Sequence, residues 1–138
     1  MMFANLMCPV GRTPYSLRFL PDSAGKEPTL TYTTGLSARP GYAYELAAAG
    51  LTYRLAQYVI PRSIEVLAEA DEPAEGLELE GVLTPWRVRL HRVEKPTLFH
   101  GSAIGIPVWQ VLTPDKWHLF PGDEHYTDES GQWAQPLL

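Results

Sequence analysis

The side chains best suited to chemistry crowd into one stretch, WQVLTPDKWHLFPGDEHY, residues 109–126. It opens as an apolar strand and continues as a loop that Pro114, Pro121 and Gly122 force to turn repeatedly. His118, Asp123, Glu124 and His125 supply two imidazoles and two carboxylates, donors suited to zinc or iron. Their spacing fits no fixed metal motif and no His-Glu-x-x-His helix is present, so a solvated acidic loop is the plainer reading. No metal or cofactor is expected. Asp115 follows Pro114, where an aspartate either faces a cleft or binds its own backbone in an Asx-turn, and Pro-Asp favours the turn. Trp109, Trp117, Phe120, Tyr126 and Trp133 are either anchors of a contact surface or core rings that hold loops down.

Outside this stretch, Glu45 sits in the apolar run YELAAAGL. A buried carboxylate is costly unless paired or hydrogen-bonded, so it is either a perturbed base or ligand anchor, or a strand-end acceptor of backbone bonds. Arg87, Arg89 and His91 fall on one side of an alternating run, with Arg92 beside them. They would bind phosphate, carboxylate or an acidic partner, or else form the wet face of an edge strand guarded by charge. Nucleophiles are thin. Cys8 has only Arg12 near it to lower its pKa, and Ser102 lacks a Gly-x-Ser-x-Gly elbow. No P-loop or Gly-x-Gly-x-x-Gly is present.

These groups must be positioned by short elements. The 138 residues suit one domain, with 45% hydrophobic and 20% charged residues, a globular balance. Thirteen prolines and eleven glycines argue for shaped loops and against a helical bundle. A net charge of −5 argues against nucleic acid as a partner. One cysteine excludes an internal disulfide and fits a reducing compartment. No apolar run approaches the roughly 18 residues of a membrane span, and the start lacks a basic, signal-like lead.

Residues 1–14 read as a mobile or lightly docked lead to a single domain at 15–138. Residues 15–20 and 29–34 suit a hairpin across the turn-rich 23–28. The run 44–51 is ambiguous between helix and buried strand by length and composition. Thr52 can cap a helical region whose apolar residues recur at three and four, with Pro61 inside it, so two short helices or one kinked helix are expected. Residues 77–83 alternate and break at Gly81, as a bulged strand does. Residues 86–93 alternate as a half-buried antiparallel strand, 97–105 form a short strand or helical turn, and 106–112 form a strand. The closing QWAQPLL is apolar and should dock on the body. The expected fold is α+β: a mixed or mainly antiparallel sheet of five to six short strands with a kinked helical region on one face.

Several fragments together resemble DUF4262, a bacterial domain family of unknown function. Tyr32-Thr33-Thr34-Gly35-Leu36, then Glu45-Leu46 with Gly50-Leu51, then Gln110, Pro114-Asp115 and Phe120-Pro121, and finally Gln135 stand in the family's order, over about residues 29–138. The resemblance implies that 44–51 is a buried strand. Ala43-Tyr44 replaces the family's His-Pro, Thr113 its Trp, and Gly122 the Trp after Phe-Pro. Any chemistry that rests on that histidine is absent here.

The expected function is a non-catalytic protein-interaction module, inhibitor- or immunity-like by analogy with small acidic cytoplasmic proteins. Its partner would be a protein, with neither nucleic acid nor membrane involved. The binding residues would be drawn from Glu45, Gln110, Asp115, Trp117, Phe120, Asp123, Arg87 and Arg89. The alternative is a small-molecule-binding domain or small hydrolase, with a cleft near Glu45 and Asp115 between the 106–112 strand and the helical region.

Overall fold

The computed structural model describes residues 15–20, 29–38, 41–69, 72–94, 106–115, 117–124, 126, 135, 137 and 138. The lead at 1–14, the turn at 23–28 and the element expected at 97–105 lie outside them, as do Cys8, Ser102, His125 and Trp133.

Among the described residues, six strands form one mixed sheet. They are β1 (Ser16–Leu20), β2 (Leu30–Thr34), β3 (Glu45–Ala49), β4 (Glu78–Leu83), β5 (Trp86–Arg92) and β6 (Val108–Leu112), with the helix α1 (Tyr53–Ala68) between β3 and β4. The spatial order is β1-β2-β3-β6-β5-β4. Every pairing is antiparallel except the central β3–β6 pair, where Glu45 faces Val108 and Ala47 faces Gln110. The first hairpin pairs Ser16 with Thr34 and Leu20 with Leu30, as the turn composition predicts.

β3 reads ELAAA and is buried at every position. Alanine prefers helix, but a strand covered on both faces gains more from burial than local propensity withholds. On one face, Leu46 and Ala48 join Trp109 and Val111 of β6, Val88 and Leu90 of β5, and Leu79 and Val82 of β4. Onto this surface α1 lays Ala56, Val59, Ile60, Ile64 and Leu67. Each fully buried aliphatic chain is worth about 1.5–3 kcal/mol, which is what fixes the helix there. Trp109 and Val111 thus pack with α1 in the main core, where the ligand-binding alternative expected a cleft.

Thr52 starts the helix from extended backbone, and its hydroxyl accepts the Leu55 N–H at 3.2 Å. Pro61 lies inside a single helix, so the expected pair of short helices does not form and no kink is shown. The carbonyl that loses its donor belongs to Gln57, an exposed residue, and water can replace the missing bond. Between β4 and β5 the register shifts from Leu79 to Leu83 around Gly81, whose φ of 88° is the left-handed conformation a bulge requires. Among the described residues, no helix is long and apolar enough to cross a membrane.

The opposite face of the sheet carries a smaller cluster: Tyr32, Ala47, Val93 and Val108, with Leu30 and Leu138 against it. Of the closing QWAQPLL, the described residues Gln135 and Leu138 are tied to the body of the sheet. The Leu138 N–H donates to Gln110 Oε1 at 2.8 Å, and Gln135 exchanges two 2.9 Å bonds with the Thr113 backbone.

Candidate functional site

Glu45 begins the central strand and is 4% exposed. One oxygen accepts the Thr33 hydroxyl at 2.7 Å and the Leu36 N–H at 3.2 Å. The other accepts the Ser37 N–H at 2.8 Å and the Ser37 hydroxyl at 2.6 Å. Thr33 Oγ1 in turn accepts the Leu46 N–H at 2.9 Å, and its single proton has the Glu45 carboxylate at 2.7 Å as a nearer acceptor than the Leu46 carbonyl at 3.4 Å. The chain arrives here because Gly35, at φ 87°, turns β2 into a 3₁₀ turn at Leu36–Ala38. Glu45 is therefore a cap for that turn. Its four acceptor positions are filled by protein donors.

Asp115, 7% exposed, does the same work for the loop after β6. Its Oδ1 accepts the N–H groups of Trp117 and Leu119 at 2.8 and 2.9 Å, and its own N–H donates to the Leu119 carbonyl at 2.8 Å. This is the Asx-type turn that the Pro-Asp dipeptide favours. The hydrogen bonds of Glu45 and of Asp115 run to separate segments, so the two carboxylates do not converge on one network.

Arg89 gathers a third group. Its guanidinium donates to Glu78 at 2.8 Å from one side and to Asp123 at 2.8 Å from the other, and lies 4.3 Å from the Phe120 ring centroid. Asp123 also accepts the Phe120 N–H at 3.0 Å. That backbone bond and the Arg89 guanidinium hold the Asp123 carboxyl below its usual range, against the opposing pull of burial. Burial pulls the Arg89 guanidinium down, but its bonds to Glu78 and Asp123 outweigh this and raise it. Arg87 pairs with Glu80 at 3.2 Å on the exposed edge. His91 Nδ1 lies 3.1 Å from Glu75. A carboxylate only accepts, so Nδ1 is the donor of this pair, and Nε2 has no hydrogen-bond partner among the described residues.

The basic stripe is thus faced by carboxylates, and it is not an edge. β5 lies between β4 and β6, and β4 forms the border of the described sheet. Its far side is also less wet than alternation implies: Arg87 is exposed, whereas Arg89 and His91 are partly covered. Glu78 of β4 and Asp123 of the loop flank Arg89, and Glu75, ahead of β4, lies against His91.

The loop from Thr113 to Glu124 is consequently bolted at two points, by Asp115 from within and by Arg89 from the sheet. At its crest Trp117 is 64% exposed. His118 takes φ 64°, uncommon for any residue with a side chain, and its ring stacks on Trp86 at 4.2 Å. Phe120 is buried beneath. The structure brings Arg89, Phe120 and Asp123 together, with Trp117 on the same loop. Glu45 and Gln110 belong to the body of the sheet, where Gln110 is fully buried and seats Leu138.

Sequence reasoning missed Trp86, Glu78 and Glu75. A signal for Glu78 exists: Glu78 and Glu80 alternate on one side of a two-residue turn, as Arg87 and Arg89 do on the other. Opposite charges placed so across a hairpin announce cross-strand pairs. Among the described residues, no group of three or more histidine, cysteine, aspartate or glutamate side chains could hold a metal ion. No family model, curated protein or solved structure matches the chain.

Proposed function

We propose that this protein is a non-catalytic interaction module that binds another protein through the loop from Thr113 to Glu124. The observation that carries this reading is a large aromatic side chain held out on a fixed support. Trp117 is 64% exposed, on a loop fastened by Asp115 and by the Arg89–Asp123 ion pair. Rigid presentation of an aromatic anchor lowers the ordering cost of association, and tryptophan is the residue most enriched among residues that dominate binding. The resemblance to DUF4262 and a cytoplasmic location are compatible with it.

An enzymatic reading asks for a carboxylate with an acceptor position facing a substrate. Glu45 spends its positions on Thr33, Leu36 and Ser37, which favours binding over catalysis. The test is photo-crosslinking in the source cell with a benzoyl-phenylalanine in place of Trp117, and a control in place of Tyr58, also exposed but on α1. A discrete protein adduct at 117 and none at 58 is expected. No adduct at 117, or the same adducts at both positions, overturns the proposal.

A further inference from the structure

Resting on the loop-interface reading, we infer that the surface around Trp117 receives a cationic segment of the partner, an arginine or lysine side chain laid on a ring and met by carboxylates. The protein already makes this recognition once within itself. Arg89 lies 4.3 Å from the centroid of Phe120 and is gripped by Glu78 and Asp123 at 2.8 Å each. The outer layer repeats the ingredients on the solvent side. Trp117 is exposed, and the Trp86–His118 stack lies beside it in the chain. Glu80 is 77% exposed at the neighbouring sheet border.

Charge selects the occupant. Over the loop and the side of β4 and β5 that faces it, five carboxylates, Glu78, Glu80, Asp115, Asp123 and Glu124, stand against three cations, Arg87, Arg89 and, in the sequence, Lys116. The three carboxylates Glu78, Glu80 and Asp123 more than match Arg87 and Arg89, which they face. The whole chain carries −5. An acidic or polyanionic partner meets like charge at this loop, whereas a basic one is steered toward it and finds ring faces on arrival.

The experiment titrates the ¹⁵N-labelled full chain with three short peptides of equal length: arginine–glycine, glutamate–glycine and serine–glycine. The arginine peptide should shift the indole N–H signals of Trp86 and Trp117 and the backbone of the loop. Its affinity should fall about five-fold or more in Trp117→Ala, be largely kept in Trp117→Phe, and weaken as salt rises past ~0.15 M. Equal shifts from the glutamate or serine peptide, shifts centred elsewhere, or full retention of affinity in Trp117→Ala overturn the inference. Sequencing the partner segment crosslinked at position 117 separates the two readings. A basic segment supports both, and an acidic or uncharged one overturns the cation preference while leaving the interface standing. No adduct removes both.

Discussion

Arg89 is the fastener between loop and sheet, and its removal is the sharpest test of how the site is built. The side chains of Arg89, Glu78 and Asp123 are 25%, 31% and 30% exposed, so these pairs sit between surface and interior. An exposed pair contributes about 0–1 kcal/mol and a charge-assisted hydrogen bond at a partly covered site about 1.5–3. Taking about 1 kcal/mol for each of the two pairs and about 0.5–1 for the guanidinium on Phe120, Arg89→Met should cost roughly 2.5–3 kcal/mol. Methionine keeps most of the apolar stem, so little packing is lost with the charge. For a chain of this length that is a fall in Tm of roughly 6–12 °C. The informative assay is a double-mutant cycle of Arg89→Met with Asp123→Asn by urea unfolding. A coupling of about 1 kcal/mol is expected, against about 0.3 for Arg62 and Glu65, an i,i+3 pair at 45% and 51% exposure. A coupling for Arg89–Asp123 no larger than that of Arg62–Glu65 refutes the claim that this arginine fixes the loop.

Asp123 gives the same claim a pH axis. Its folded-state pKa lies below the unfolded value of about 3.9, so the unfolded chain binds more protons through that window and stability rises with pH there. The contribution is complete above the unfolded value and lost as pH falls through the folded one. Asp123→Asn should flatten that part of the stability–pH curve, and an unchanged slope counts against the pairing. Glu45→Gln places an amide against committed donors and should cost about 2–3 kcal/mol in urea unfolding while the rest of the fold persists; a cost under about 0.5 would show that the Leu36–Ala38 turn does not depend on the carboxylate. Gln135→Ala removes two bonds from the buried Thr113 backbone and should cost about 2 kcal/mol. Trp117→Ala, by contrast, should leave stability within about 0.5 kcal/mol while abolishing partner capture. A large loss of stability there would mark Trp117 as packing and not as an anchor.

The strands were legible wherever a local rule governs them. Alternation located β5, β-branched residues located β2, and Gly81 announced the bulge in β4 because few residues accept its backbone conformation. β3 was not legible from composition, since three alanines favour helix and only burial on both faces makes them a strand. Pro61 misled because the rule for prolines inside helices assumes the orphaned carbonyl cannot be satisfied, and at an exposed Gln57 it can. β5 was expected at an edge because alternation reports how wet a strand's faces are and not whether both its sides are paired. Strand order arises from contacts far apart in sequence, as when β6 inserts between β3 and β5.

The site residues show a deeper limit and a way past it. Glu45, Asp115 and Asp123 all stood out as acidic residues next to apolar or turn-forming neighbours, the surroundings in which a catalytic carboxylate also lives. What separates the two roles is donor supply. A carboxylate offers about four acceptor positions, and a general base must leave one of them facing its substrate. Each of these three lies within a few residues of a tight turn and accepts backbone N–H groups of that turn: Glu45 on both oxygens, Asp115 on Oδ1, and Asp123 on Oδ2, with its Oδ1 given to Arg89. A turn that is held this firmly can carry an exposed indole without collapsing around it. The bonds that occupy Asp115 and Asp123 are the same ones that fasten the loop carrying Trp117, and the proposed binding role draws on that support.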